Sequence, residues 1–138
     1  MSLSRKECFE IISVADREDV IRIGKTIEDR HTITVVRNDN VLLPIKAVDL
    51  KEVEFCLGDA LATECKVTVD NSEGYMLVLG DDKEKAYYGA IIDGYFEIAG
   101  KKEWLFNELK KINQKTLERI ATEMSVISNT KVEYEIVD

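Results

Sequence analysis

The sequence predicts an α+β fold, a mainly antiparallel β-sheet flanked by helices, with two short N-terminal helices and a long C-terminal helix before a last strand. Three observations predict it. Apolar residues recur at helical spacing up to Arg30 and again after Gly80, and between these stretches the spacing falls to two in segments rich in β-branched residues. The polar clusters separating the segments carry capping and turn chemistry, so helices and strands are segregated along the chain rather than alternating.

The first helix is announced by Ser4-Arg5-Lys6-Glu7, a capping box in which Ser4 caps and Glu7 reaches back. Cys8, Ile11, Ile12 and Ala15 follow at helical spacing. A second start at Asp16 has Glu18 and Asp19 in the positive first turn, then the apolar stripe Val20, Ile23, Gly24 and Ile27. Residues 32–36, 41–48 and 53–57 read as strands, and Arg37-Asn38-Asp39-Asn40 as the turn between the first two. Pro44, the only proline, requires its strand to be an edge or to carry a bulge. Residues 66–69 and 75–79 flank Asp70-Asn71-Ser72-Glu73-Gly74, a hairpin whose loop of about five residues uses Gly74 for a positive φ. Asp81 and Glu84 form a second capping box, opening a helix whose main face is Tyr87, Ile91, Gly94, Tyr95 and Ile98 and which Gly100 ends. A long helix over 103–128 is expected to bury Leu105, Leu109, Ile112, Ile120 and Met124, and residues 131–137 alternate as a last strand.

The 138 residues fit a single domain, 1–138, able to bury a core without disulfide or metal. Nineteen basic against 27 acidic residues give a net charge of −8, and no basic stripe interrupts it, which argues against nucleic-acid binding. Apolar runs are too short for a signal peptide or a membrane span, so no membrane partner and a cytoplasmic location are expected. The three cysteines, Cys8, Cys56 and Cys65, show no metal-ligand spacing and read as buried small hydrophobes.

Signals of catalysis are sparse. His31, the only histidine, sits at a helix–strand junction without a nucleophile motif near it, and a lone imidazole excludes the usual zinc sites. Neither a Walker loop nor a G-x-G-x-x-G run occurs. Gly58-Asp59 and Gly80-Asp81 are strand-end glycines of the kind that can open an anion site, but Asp81 and Asp82 would occupy the helix end and repel a phosphate. The stretch from Glu108 to Arg119 reads as a solvated face. Trp104 and the pair Tyr87/Tyr88 read as core or as interface anchors. The segment 87–98 is apolar nearly all round, so it is either central to the domain or covered by another chain. No catalytic, cofactor-binding or metal residue is therefore assigned.

Several segments together resemble the PhnG family. These are Phe55-Cys56-Leu57-Gly58-Asp59, Thr63-Glu64-Cys65-Lys66-Val67, the Gly74-led strand ending Leu79-Gly80-Asp81-Asp82, the helix with Ala86, Ala90 and Asp93, and the ending Thr130-Lys131-Val132-Glu133-Tyr134. The order and spacing of the pieces cover nearly the whole chain. The resemblance implies a subunit of the bacterial phosphonate C–P lyase core complex, beside the H, I and J subunits. It implies a part in ATP-dependent formation of ribose 1-phosphonate 5-triphosphate with release of adenine, the nucleosidase chemistry belonging to the I subunit. ATP is then used by the assembled complex, and no cofactor is bound by this chain alone. Glu64 and Asp81 depart from the basic residues many members carry there, and residues 47–52 lack the family's glycines. Gly58, Asp59, Gly80, Asp81, Tyr87, Tyr88 and Asp93 are the candidate partner contacts. The rival reading is a stand-alone small-molecule-binding module, a homo-oligomer through the 87–98 helix.

Overall fold

The computed structural model describes residues 3–48, 54–98 and 103–130, with side chains at 3–44, 58–98 and 103–123. It contains α1 (Arg5–Val14), α2 (Arg17–Glu28), β1 (Ile33–Val48), β2 (Glu54–Val69), β3 (Ser72–Leu79), α3 (Lys83–Ile98) and α4 (Glu103–Thr130). The three strands form one antiparallel sheet in the order β1-β2-β3, so the α+β expectation holds.

The α1 capping box is present, with Glu7 N donating to Ser4 Oγ at 3.1 Å and Ser4 N to Glu7 Oε1 at 3.1 Å. At Ala15 the chain turns extended and ends α1. Asp16 starts α2 without making a side-chain cap bond. Its carboxylate is drawn instead to α4, where Lys115 lies at 3.0 Å and Arg119 at 2.9 Å. Lys110, Lys111, Lys115, Glu118 and Arg119 are exposed, as a solvated face expects, and Lys115 and Arg119 reach across to Asp16 as Glu108 does to Arg22 at 3.0 Å.

Between residues 32 and 79 the described strands are longer and fewer than the sequence suggests. Residues 37–40 do not turn; they continue β1, opposite 63–66 of β2. Their polar side chains, which suit a turn in isolation, reach neighbouring elements instead, although buried Asn38 Oδ1 has no hydrogen-bond partner among the described residues. Arg37 pairs with Glu64 at 3.0 Å, Asn38 Nδ2 donates to Lys83 O at 3.1 Å, and Asn40 Oδ1 lies 3.2 Å from Thr63 Oγ1. Likewise 58–65 does not break the chain but joins two expected strands into β2. Pro44 lies on the edge strand, opposite Asp59, with a pairing irregularity at once after it between Ile45 and Lys46, as a residue without an N–H demands.

The β2–β3 hairpin forms, but its loop is only Asp70-Asn71, with Asp70 in the left-handed region at φ 54°. Gly74 is not a turn residue. It lies in β3 where α3 crosses, and an added Cβ would sit 2.0 Å from the Ala90 carbonyl oxygen. Glycine there sets how closely helix and sheet approach.

Helix α3 lies on the face of the sheet formed by Cys65, Val67, Val69, Met76 and Val78, with α1 and α2 packed against it. Ala86 and the whole run 88–94 are buried, as is Phe96, so its apolar circumference is covered by this chain itself. The surface through which the rival reading would build an oligomer is therefore interior. Leu105, Leu109 and Ile112 of α4 are buried as expected, whereas Ile120 is 40% exposed, a correction with a geometric cause. A 28-residue helix is about 42 Å long, far longer than α1 beneath it, so its far half outruns the body. The expected burial of Met124, the Gly100 stop and the last strand over 131–137 lie outside the described residues.

Candidate functional site

The seven residues expected to contact a partner separate into two groups. Tyr87, Tyr88 and Asp93 are engaged inside the fold. Tyr87 Oη donates to Glu28 Oε2 at 2.6 Å, Tyr88 Oη lies 3.5 Å from the other oxygen, and the two rings meet edge to face at 4.9 Å. Burial, with the neighbouring Glu28 carboxylate adding to it, raises both phenols above their ordinary range. Asp93 is buried and accepts from Arg5 Nε at 3.0 Å, Arg5 Nη2 at 2.9 Å and Tyr75 N at 2.9 Å. That forked pair ties α1, β3 and α3 together, and Arg5 Nη2 also donates to Glu73 O at 2.7 Å. Tyr88 and Asp93 are buried and Tyr87 partly buried, so all three fasten elements of this chain to one another.

Gly58, Asp59, Gly80 and Asp81 are gathered at the other end of the sheet. β3 pairs with β2 only from Ala62 to Val69, so beyond Ala62 the β1–β2 pair projects as a two-stranded arm. Gly80 N donates to Leu61 O at 2.8 Å, which seats the β3–α3 junction at the base of that arm. Gly80 has φ +88° and directs Asp81 outward, and Asp82 rather than Asp81 caps α3, its Oδ1 accepting from Lys85 N at 3.0 Å. Arg17 grips Asp82 at 3.0 Å and Glu84 at 2.7 Å, and the guanidinium holds the Asp82 carboxyl below its usual range. Thr63 Oγ1 donates to Gly80 O at 2.7 Å and accepts from Asp82 N at 3.0 Å, so the helix start is built on a buried strand residue.

Three leucines near this junction are exposed: Leu42 is 66%, Leu61 44% and Leu79 76% exposed, with Leu42 and Leu61 directly opposite each other and Leu79, opposite Ala62, on the other face of the sheet. The sequence did not single them out, since alternation along a strand expects such residues to be buried. Leu42 and Leu61 thus leave adjoining apolar surface uncovered among the described residues. Asp59 and Asp81 are both exposed along the same end.

Elsewhere, Cys8 and Cys65 are buried, and burial pushes the Cys65 thiol up to about 11, as a structural rather than a reactive cysteine requires. Cys56 lies outside the described side chains. His31 Nδ1 is 2.7 Å from Asp70 Oδ2, and the imidazole holds that carboxyl below its ordinary value. Arg30 and His31 line a cavity of about 150 Å³ with Thr26, Ile27, Tyr95 and Trp104. Its lining comes from α2, the α2–β1 junction, α3 and α4, so no local spacing could reveal it. Among the described residues, no cluster of His, Cys, Asp and Glu is arranged to hold a metal ion, and no helix is long and apolar enough to cross a membrane.

A family model described as phosphonate metabolism protein PhnG matches residues 3–137, which spans both ends of the sheet and all four helices. No curated protein matches the chain significantly. With nearly its whole length matched, this chain belongs to the PhnG family of phosphonate metabolism proteins.

Proposed function

We propose that the chain is an accessory subunit of the C–P lyase core complex, assembling with H-, I- and J-type subunits in the cytoplasm. In that assembly the phosphonate takes the place of adenine on the ribose of ATP, giving ribose 1-phosphonate 5-triphosphate. The chain supports the exchange without carrying it out alone. One observation favours the accessory role: the uncovered leucines at the arm base, Leu42, Leu61 and Leu79, next to Gly58-Asp59 and Gly80-Asp81. Arg5, Arg17 and Arg37 are committed to ion pairs within the fold, which leaves their charge to fold stability rather than to a triphosphate.

Co-expression of the tagged chain with the other core subunits tests this reading. A stable complex that releases adenine from ATP in the presence of a phosphonate is expected, with no adenine release by the isolated chain. A triple Leu42→Ser, Leu61→Ser, Leu79→Ser variant should stay folded and lose its partners. Turnover by the chain alone, or failure of every partner to co-purify with the wild type, would sink the proposal.

A further inference from the structure

The cavity at the opposite end of α3 from the arm base has the make-up of a ligand site rather than of a packing gap. Two of its lining residues are basic. Arg30 is exposed and makes no ion pair with a carboxylate among the described residues. His31 is fixed from a different element. Asp70, held at φ 54° in the β2–β3 turn, takes Nδ1 at 2.7 Å and accepts Thr32 N on its other oxygen at 2.9 Å. With Nδ1 committed to Asp70, the Nε2 edge has no hydrogen-bond partner among the described residues.

The remaining lining is aromatic and apolar. His31 meets Tyr95 edge to face at 5.4 Å, and Tyr95 meets Trp104 at 6.3 Å with the ring planes 83° apart. Successive near-perpendicular rings make a corner rather than a stack, and Ile27 borders it. Trp104 is 37% exposed, an indole held at the wall of an open cavity instead of in the core. The volume of about 150 Å³ is that of a cavity able to admit one benzene-sized ring.

We propose that this cavity binds a small organic anion carrying a planar ring. The Arg30 guanidinium offers a fork of N–H donors that matches a carboxylate or similar oxyanion, and the ring lies against Tyr95 and Trp104. A bare inorganic anion would leave the aromatic walls unused, and a neutral ring would leave the guanidinium unmatched. The site is separate from the leucine surface, so it stands or falls independently of subunit assembly.

Trp104 is the only tryptophan in the chain, which makes its fluorescence a reporter confined to this cavity. Titrating the full-length protein with benzoate should give a saturable change with one-to-one stoichiometry. Benzyl alcohol, which keeps the ring without the charge, and inorganic phosphate, which keeps the charge without the ring, should each bind at least about tenfold more weakly, or about 1.4 kcal/mol. Arg30→Ala should weaken benzoate by a similar factor while leaving the far-ultraviolet circular dichroism and melting temperature unchanged, because Arg30 is exposed. No saturable response to benzoate, an equal response to benzyl alcohol or phosphate, or an undiminished affinity in the Arg30→Ala protein would each overturn the assignment.

Discussion

The two ends of β2 are one strand with opposite fates. From Thr63 to Val69 every second residue, Thr63, Cys65, Val67 and Val69, has no exposed surface, because β3 closes the edge and α3 covers the face. From Gly58 to Leu61 the same strand pairs only with β1, and Leu61 and its opposite number Leu42 stand in solvent. Strand pairing alone therefore does not bury a face; a second layer does. The covered end holds the fold together, and the uncovered end leaves large apolar side chains in solvent.

The largest test of that contrast lies where α3 meets the covered end. Gly74→Ala would place a Cβ 2.0 Å from the Ala90 carbonyl oxygen and 2.7 Å from Gly94 N, both backbone atoms that cannot swing aside. A loss of about 3 kcal/mol or more is expected, seen as a collapsed urea midpoint or as insoluble protein. A near-normal midpoint would mean that helix and sheet are not held so close.

Next in size is Asp93→Ala, which strands the Tyr75 amide and one side of the Arg5 fork. Since Arg5 is itself partly exposed, about 2 kcal/mol is expected rather than the penalty of a fully buried pair. Denaturant unfolding at neutral pH measures it, and a change under half a kilocalorie would remove the fastener role.

Asp82→Asn keeps the cap on Lys85 N but removes the charge facing Arg17. The folded-state pKa of Asp82 lies below its ordinary value of 3.8, chiefly through the Arg17 hydrogen bonds. The ionised group therefore adds stability above the unfolded pKa, and that contribution is lost as pH falls through the lower folded value. Wild type should exceed the variant by about 0.5 kcal/mol at pH 7, and the gap should close toward pH 3. A gap that widens in acid would reverse the sign of the interaction.

The smallest effect on stability belongs to the uncovered end. Leu42→Ser or Leu61→Ser should change the isolated chain by no more than about 0.5 kcal/mol, since neither side chain leaves a cavity behind. Melting curves would check this, and a loss as large as that of Asp93→Ala would show that the arm stabilises the fold after all.

The amino-acid order alone determined most local structure: the Ser4–Glu7 capping box, the break at Ala15-Asp16, the edge position of Pro44 and the hairpin turning near Asp70. Each depends on dihedral preference and on hydrogen bonds between residues a few positions apart, which neighbouring letters encode. Tertiary structure decided what those elements meet. Asn38 and Asn40 became strand residues because β2 lies opposite them and Lys83 O takes the Asn38 Nδ2 hydrogen, and Gly74 served close packing because Ala90 crosses it. Tyr87, Tyr88 and Asp93 turned inward to Glu28 and Arg5, whereas Leu42, Leu61 and Leu79 were left outside. Burial is a property of what arrives from elsewhere in the chain, and periodicity carries no record of the distant segment that does or does not arrive.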